Sequence, residues 1–147
     1  PSFENLDSSD QNIVVRYNIT PVIDKDEDII YLNAMFTEAY KDNPFSSAER
    51  KYPVEMPYAM NEVFVANIQI PDGYVVDEKP KGLRVNLYES DGMYEYLIST
   101  DERNIMIRSK LIINRAEFEA EEYEILRDFF GHVVKKQAET IVLKKKK

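Results

Sequence analysis

The chain has 147 residues, of which 44% are hydrophobic, and this is enough for one domain with a sizeable core. Its 27 acidic residues outnumber its 19 basic ones and give a net charge of −8, which argues against a nucleic-acid-binding protein because phosphate affinity needs a basic surface. It has no cysteine, so disulfides, thiolate nucleophiles, zinc–thiolate sites and iron–sulfur clusters are excluded.

The first quarter of the chain predicts a leading segment followed by a β-hairpin. Residues 1–11 are polar and acidic, and we interpret them as a segment that leads into the domain. In residues 13–20 apolar and polar side chains alternate, which is typical of a half-buried strand. The acidic run 24–28 predicts a turn. A second strand follows, with its buried side formed by Ile30, Leu32, Ala34 and Phe36.

Residues 41–57 break the strand pattern with an Asn-Pro dipeptide and two further prolines, so a long ordered connection is predicted there. Phe45, Tyr52 and Val54 are the expected anchors of this connection in the core. We expect Arg50 to order the connection by donating to backbone carbonyls, since its guanidinium offers several donors.

The middle of the chain predicts a series of strands, of which the last three form an antiparallel meander. Alternating apolar residues mark each strand, the Asp91-Gly92 pair predicts a tight hairpin turn, and Pro71-Asp72-Gly73 ends the first strand. The predicted strands are 64–70, 74–76, 83–87, 94–98 and 105–113.

The last third predicts an amphipathic helix and a final strand. Apolar residues recur at steps of three and four over residues 119–138, with glutamates in the first turn and lysines in the last, as the helix dipole favours. Residues 140–143 predict the last strand. The predicted fold of residues 1–147 is one mainly β domain. It is an antiparallel β-sandwich of about seven or eight strands, with the C-terminal helix packed on it before the last strand.

No catalytic, cofactor-binding or metal-binding residue stands out. His132, the one histidine, follows a glycine inside the apolar helix, and no Gly-x-Ser-x-Gly motif presents a serine to it. We interpret it as a histidine at the helix margin. Paired carboxylates are unavoidable among so many acids, and the sequence cannot choose a catalytic pair. We therefore predict no catalytic residue and no cofactor.

Asp24, Asp26 and Asp28 have the spacing that begins a calcium-binding loop. An EF-hand is excluded because the sixth position is not glycine and Met35 occupies the twelfth. A looser calcium-binding turn and an ordinary exposed hairpin tip both stay open. The terminal run 144–147 of four lysines is interpreted as a solvated tail, and no run of 18 apolar residues exists to form an integral membrane segment.

Several short motifs have a familiar arrangement. They are Asp42-Asn43-Pro44-Phe45, Glu49-Arg50, Tyr52-Pro53-Val54, Ile70-Pro71-Asp72-Gly73-Tyr74-Val75-Val76, Pro80, Glu121-Glu122-Tyr123, Leu126-Arg127, Phe129-Phe130 and Ile141-Val142-Leu143-Lys144. Over residues 13–145 they resemble the C-terminal β domain of unknown function that follows the transglutaminase-like core in bacterial exported proteins.

This resemblance implies an accessory module in the periplasm or at the cell surface, whose partner is an upstream transglutaminase-like domain of the same chain. It also implies that any Cys-His-Asp triad belongs to that upstream domain. We therefore expect the chain to be the C-terminal part of a longer protein and not itself an enzyme. The alternative is a binding module for carbohydrate or peptide that uses exposed tyrosines or the acidic hairpin tip.

Overall fold

The computed structural model describes residues 1–22, 27–88 and 90–146. Within these residues the chain forms eleven strands, one α-helix and two 3-10 turns, at Phe36–Glu38 and Ala120–Glu122. The strands are β1 (Ser2–Glu4), β2 (Val14–Arg16), β3 (Ile29–Leu32), β4 (Val54–Glu55), β5 (Met60–Gln69), β6 (Tyr74–Glu78), β7 (Leu83–Leu87), β8 (Gly92–Thr100), β9 (Asn104–Ile113), β10 (Glu117–Phe118) and β11 (Ile141–Lys145), and the helix is α1 (Tyr123–Gln137).

The longer strands form two antiparallel sheets. One has four strands in the order β5-β9-β8-β7, and the other has three in the order β3-β11-β6. Two short pairs, β1 with β2 and β4 with β10, complete the described strands. The predicted fold class is confirmed: the domain is mainly β and antiparallel, with one C-terminal helix followed by the last strand.

Alternation along the central strands builds the core. Odd-numbered residues of β9 and even-numbered residues of β8 point inward, and Tyr94, Tyr96, Ile105 and Ile113 are at most 1% exposed. Burial raises the pKa of Tyr96 to about 12, with Tyr94 and Glu139 adding smaller contributions. The predicted meander of strands 83–87, 94–98 and 105–113 is therefore confirmed, since β7, β8 and β9 are neighbours in one sheet. The predicted strands 64–70 and 74–76 also form, as β5 beside β9 and as β6 in the other sheet.

Helix α1 packs on this core by the predicted apolar stripe. Leu126, Phe129, Phe130 and Val133 are buried, and β7 is the strand that the helix contacts most. The ring of Phe130 meets the ring of Phe45 edge to face, with 5.1 Å between the centroids. This contact joins the helix to the long connection, so the predicted helix and the predicted anchor Phe45 are both confirmed.

An arginine holds the chain that enters the helix. The Arg115 guanidinium donates to Glu122 at 2.6 Å, pairs with Asp91 at 2.8 Å and lies over the ring of Phe118. The Glu122 carboxylate also accepts the backbone N–H of Glu119 at 2.8 Å, a capping contact at the start of the helical segment. The hydrogen bond from Arg115, followed by that from Glu119, lowers the pKa of Glu122.

The predicted N-terminal hairpin is wrong. β3 pairs with β11, with Leu32 opposite Ile141, whereas residues 13–20 form only the short strand β2, which pairs with β1. The apolar residues Ile13, Val15, Tyr17 and Ile19 are exposed. The alternating pattern indicated an extended chain correctly but not its pairing partner. β11 lies between β3 and β6 and hydrogen-bonds to both, so β3 pairs with β11 and not with residues 13–20.

The second predicted strand also ends earlier than expected. β3 stops at Leu32, and Phe36 begins a 3-10 turn with a positive φ of 51°. Ala34 is buried as predicted, but the turn places Met35, and not Phe36, in the core. The Asn33 side-chain oxygen accepts the Met35 N–H at 2.9 Å, and this local bond favours the turn over a continued strand.

Two predictions for residues 41–57 are also corrected. Val54 is buried as expected, but Tyr52 is 78% exposed and anchors nothing in the core. The guanidinium that donates to the carbonyl of this connection is that of Arg127, which reaches Ala48 O at 2.6 Å. Arg50 instead lies near the ring of Tyr123, with Cζ 5.9 Å from the centroid. The helix thus supplies the donor, because Arg127 projects from it toward the connection.

Phe130→Ala should lower the free energy of unfolding by about 3–5 kcal/mol, because it removes a fully buried ring and leaves a cavity. Urea denaturation followed by circular dichroism measures this change. Ile125→Ala is the matched control on the same helix, where the side chain is 40% exposed and the cost should be below about 1 kcal/mol. Equal, small changes in both variants would show that the helix is not a core element.

Glu122→Gln should lower the free energy of unfolding by about 1 kcal/mol at pH 7, because it replaces the carboxylate that forms an ion pair with Arg115 by a neutral amide. The pKa of Glu122 in the folded protein is below the ordinary 4.5, so this contribution is present above that pH and disappears as the pH falls through the folded pKa. Urea midpoints at pH 7 and pH 2 should therefore differ from wild type only at pH 7. Exposed Glu121→Gln is the control, and a deficit that persists at pH 2 would refute the electrostatic cause.

Candidate functional site: an open groove along β5

A groove of about 1610 Å³ runs along the whole length of β5. We call it the β5 groove. Its first wall is β5, its opposite wall is the N-terminal segment 12–22, and β3 lies beside it. Its floor reaches between the two larger sheets to Ser109, Leu111, Gln137 and Leu143. The groove therefore lies between the edge of the four-stranded sheet and the segment 12–22.

The groove follows a free edge of the four-stranded sheet. β5 is the outermost strand, and within the described residues it pairs only with β9. The Ile70 N–H donates to Arg103 O at 2.7 Å, next to the pair of Gln69 with Asn104, so the even-numbered residues of β5 exchange hydrogen bonds with β9. The odd-numbered residues must then direct their backbone N–H and C=O groups into the groove. They are Asn61, Val63, Val65, Asn67 and Gln69.

Polar contacts join the strands of the opposite wall to each other and to the 3-10 turn after β3. Arg16 on β2 pairs with Glu4 on β1 at 2.9 Å, and the Tyr17 hydroxyl donates to Glu38 at 2.9 Å. Burial and this carboxylate raise the pKa of Tyr17. The apolar side chains of Ile13, Val15, Tyr17 and Ile19 on this wall are 43–60% exposed, whereas Val14 is half-buried. The segment thus presents an apolar surface without contributing it to the core.

The floor of the groove contains a chain of buried polar groups. Gln137 Nε2 donates to Ser109 Oγ at 3.3 Å, and Ser109 Oγ donates to the Tyr94 hydroxyl at 3.3 Å. Gln137 Oε1 accepts the Tyr40 N–H at 2.8 Å. Burial raises the pKa of Tyr94 and keeps its hydroxyl neutral. These groups bond to one another, so the floor offers an apolar surface with a satisfied polar centre.

The charged groups that line the groove are mostly acidic. They are Glu27, Glu38 and Glu62, against Arg16, which is paired with Glu4. The Tyr40 hydroxyl donates to Glu62 Oε2 at 3.0 Å, and burial followed by this carboxylate raises the pKa of Tyr40 well above its ordinary value. The groove therefore has an acidic rim over an apolar interior.

A second, smaller depression surrounds the histidine. It has a volume of about 530 Å³, and Ser46, Asp128 and His132 are among the residues that line it. His132 is exposed, as the sequence indicated, and within the described residues no hydrogen bond joins it to Ser46 or Asp128. The three residue types of a Ser-His-Asp triad are thus near one another, but they are not assembled into the hydrogen-bonded chain that the mechanism requires.

The calcium prediction falls mainly outside the described residues. Asp24 and Asp26 are not described, and Asp28 is exposed with its backbone C=O accepting the Lys145 N–H at 2.9 Å. In residues 1–22, 27–88 and 90–146 no group of three or more His, Asp or Glu side chains is arranged to hold a metal ion. Calcium binding by the acidic run remains a prediction. No helix in these ranges is long and apolar enough to span a membrane.

The family model described as a domain of unknown function with a solved structure (DUF3858) matches residues 28–143. The chain belongs to the DUF3858 family. The match begins at Asp28, so the groove wall 12–22 lies outside the family model, whereas β3, β5 and the floor lie within it. No curated protein matches the sequence.

The DUF3858 fold also occurs in a solved structure from Parabacteroides distasonis ATCC 8503, described as a "putative protease". The TM-score is 0.57 at 13% identity, over 67% of this chain and 19% of that one. The similarity shows a shared fold. The chain aligns with about a fifth of the length of that protein.

The sequence did not predict the β5 groove. The alternation of β5 was recognised, but alternation is the same for an edge strand and a central strand with one solvated face. The polar residues at odd positions, Asn61, Asn67 and Gln69, indicate a solvated face of the sheet and not a free edge. The exposure of residues 13–20 had no sequence signal at all.

Purified protein should not accelerate the hydrolysis of ester, glycoside or peptide reporters, because no hydrogen bond activates Ser46 through His132. His132→Ala should leave the reporter rates unchanged, and Lys135→Ala, in the same depression, is the matched control. Turnover by the wild-type protein that His132→Ala abolishes and Lys135→Ala retains would establish a catalytic site here.

Proposed function

We propose that this DUF3858 domain is a non-catalytic accessory module of an exported transglutaminase-like protein, and that it packs on a neighbouring part of that protein through the β5 groove and the exposed segment 12–22. The observation that carries the proposal is the exposure of an alternating apolar segment beside a ten-residue free sheet edge. Apolar surface and free strand edges of this kind mark interaction sites in soluble proteins.

The share of the Parabacteroides protein that this chain covers supports the role of one module in a larger protein. This chain has the fold of a portion, about a fifth, of the Parabacteroides protein, as expected of one module in a multidomain protein. That protein is described as a "putative protease". Under our proposal, any catalytic centre of the protein to which our chain belongs would reside in another domain. Under the transglutaminase-like resemblance, this is the upstream Cys-His-Asp core.

The absence of cysteine agrees with the proposal that another domain contains the catalytic centre. A transglutaminase-like reaction uses a cysteine nucleophile, and this chain has none. The same resemblance carries the proposed location in the periplasm or at the cell surface, where the related proteins are exported.

A second candidate function is the binding of carbohydrate or peptide. Tyr17 and Tyr31 both line the β5 groove, and Tyr31 is 70% exposed, so a sugar ring could stack there. Chemical-shift changes at these tyrosines on adding a panel of glycans would support this alternative. Shifts confined to added peptides would instead point to a protein partner.

The gene sequence upstream of the codon for Pro1 tests the proposed parent. We expect it to encode an export signal and a Cys, His and Asp in transglutaminase-like order. An upstream region that encodes a different kind of domain would refute the transglutaminase assignment.

Amide hydrogen exchange tests the proposed packing. In the full-length protein, exchange at residues 12–20 and 61–69 should be slower than in the isolated chain, because these segments become covered. Helix α1 is the internal control, since it is buried in the domain itself and its exchange should not change. Identical exchange of 12–20 and 61–69 in both proteins would refute packing through the groove.

A further inference from the structure

We propose that the β5 groove binds an extended polypeptide segment, about ten residues long and with alternating apolar and basic side chains, as an added strand on β5. This inference deepens the proposed function, because it names the form in which the neighbouring polypeptide is bound. Three observations support it: the direction of the free backbone groups, the size of the groove and its charge.

The backbone of β5 supplies the recognition. Five residues, the odd-numbered ones from Asn61 to Gln69, direct N–H and C=O groups into the groove. An extended peptide is the ligand that pairs with such a row, since it carries the same groups at the same spacing. A sugar or a lipid chain has no comparable periodic donors and acceptors. The row therefore favours a polypeptide strand as the occupant.

The groove has the volume of such a strand. A strand occupies about 4.8 Å along the sheet, about 10 Å across it and about 3.3 Å per residue, or about 160 Å³ for each residue. The groove of about 1610 Å³ therefore holds about ten residues. β5 itself has ten residues, so the occupant can pair along its whole length.

The lining of the groove determines the chemistry of the occupant. Alternate side chains of an added strand would enter the floor near Phe64, Ile68 and Leu111, where apolar residues are required. The rim carries Glu38 and Glu62, so basic side chains at the intervening positions would be attracted to it. The acidic net charge of the whole domain adds to that attraction.

Two other occupants fit less well. The chain's own segment 12–22 already forms the opposite wall, where Glu4 holds Arg16 and Glu38 holds Tyr17. A second copy of the chain would place its own β5 against this one. That strand contains Glu62 and no basic residue, so it lacks the charge that the groove favours.

The test uses the 147-residue chain and a ten-residue peptide in which valine alternates with lysine. Calorimetry should show saturable binding, and hydrogen exchange at Asn61, Val63, Val65, Asn67 and Gln69 should slow on adding the peptide. The same peptide with glutamate in place of lysine should bind about tenfold more weakly. Equal binding of the two peptides, or no binding of the lysine peptide, would overturn the proposal.

Variants separate the backbone contribution from the side chain. Val65→Pro removes one N–H that points into the groove but keeps the β9 ladder, so it should weaken binding about 3- to 10-fold. Val65→Thr keeps the N–H and should bind like wild type. Asn86→Pro removes an outward N–H on β7, at the opposite edge of the same sheet, and should also bind like wild type. Equal losses in all three variants would refute pairing with β5.

A modified peptide keeps the test decisive if Val65→Pro fails to fold. N-methylation of the alternate residues that face β5 should abolish binding, whereas N-methylation of the other alternate set should not. Equal effects of the two sets would overturn strand addition.

Hydrogen exchange and the oligomeric state, measured without peptide, test whether segment 12–22 or a second copy of the chain fills the groove. Slow exchange at the odd-numbered residues of β5 in a monomer would show that segment 12–22 fills the groove, and a dimer that Val65→Pro dissociates would show a second copy there. Either result overturns the proposal. Peptide binding together with unchanged exchange in the full-length protein would instead leave the proposal standing and refute packing within the parent.

Discussion

The edge-to-face contact between Phe130 and Phe45 fixes the relation of the helix to the rest of the domain. Phe130 also meets the ring of Tyr40 at 5.9 Å, so one helical side chain contacts two points of the chain between β3 and β4. Because β11 follows the helix directly, the position of α1 determines where the last strand pairs. That strand completes the smaller sheet, so the sheet depends on the helix being seated.

Polar contacts at the two ends of the helix orient it without adding much burial. At its start, Arg115 and Glu122 join the turn before β8 to the helical segment. At its end, Gln137 bonds the backbone of Tyr40 and the hydroxyl of Ser109, and Asn33 donates to the Gln137 carbonyl. These bonds satisfy buried groups that apolar packing alone would leave unpaired. They also bring the end of the helix to the floor of the β5 groove, so the stable core and the candidate binding surface share residues.

The groove exists because the two sheets pack on a common core while their edge strands β5 and β3 do not pair with each other. On the side of β5 and β3, the free strand edges are separated, and residues 12–22 pass over the gap without pairing with either strand. A domain that acted alone would gain stability by closing this side. Under the proposed function another polypeptide closes this side, and the acidic rim favours basic side chains in that polypeptide.

The sequence by itself determined the elements of the DUF3858 domain: the strands from Phe64 to Ile113, the amphipathic helix and the strand that follows it. These depend on local periodicity and capping, which neighbouring residues encode. Only the tertiary structure decided that β3 pairs with β11, that the side chains of residues 13–20 other than Val14 stay exposed, and that β5 is an edge. Pairing between distant strands depends on competition among all strands of the chain for the same hydrogen bonds, and no single stretch contains that information. The groove is a product of that competition, so it could not be predicted from the sequence, whereas the exposed histidine at the helix margin could.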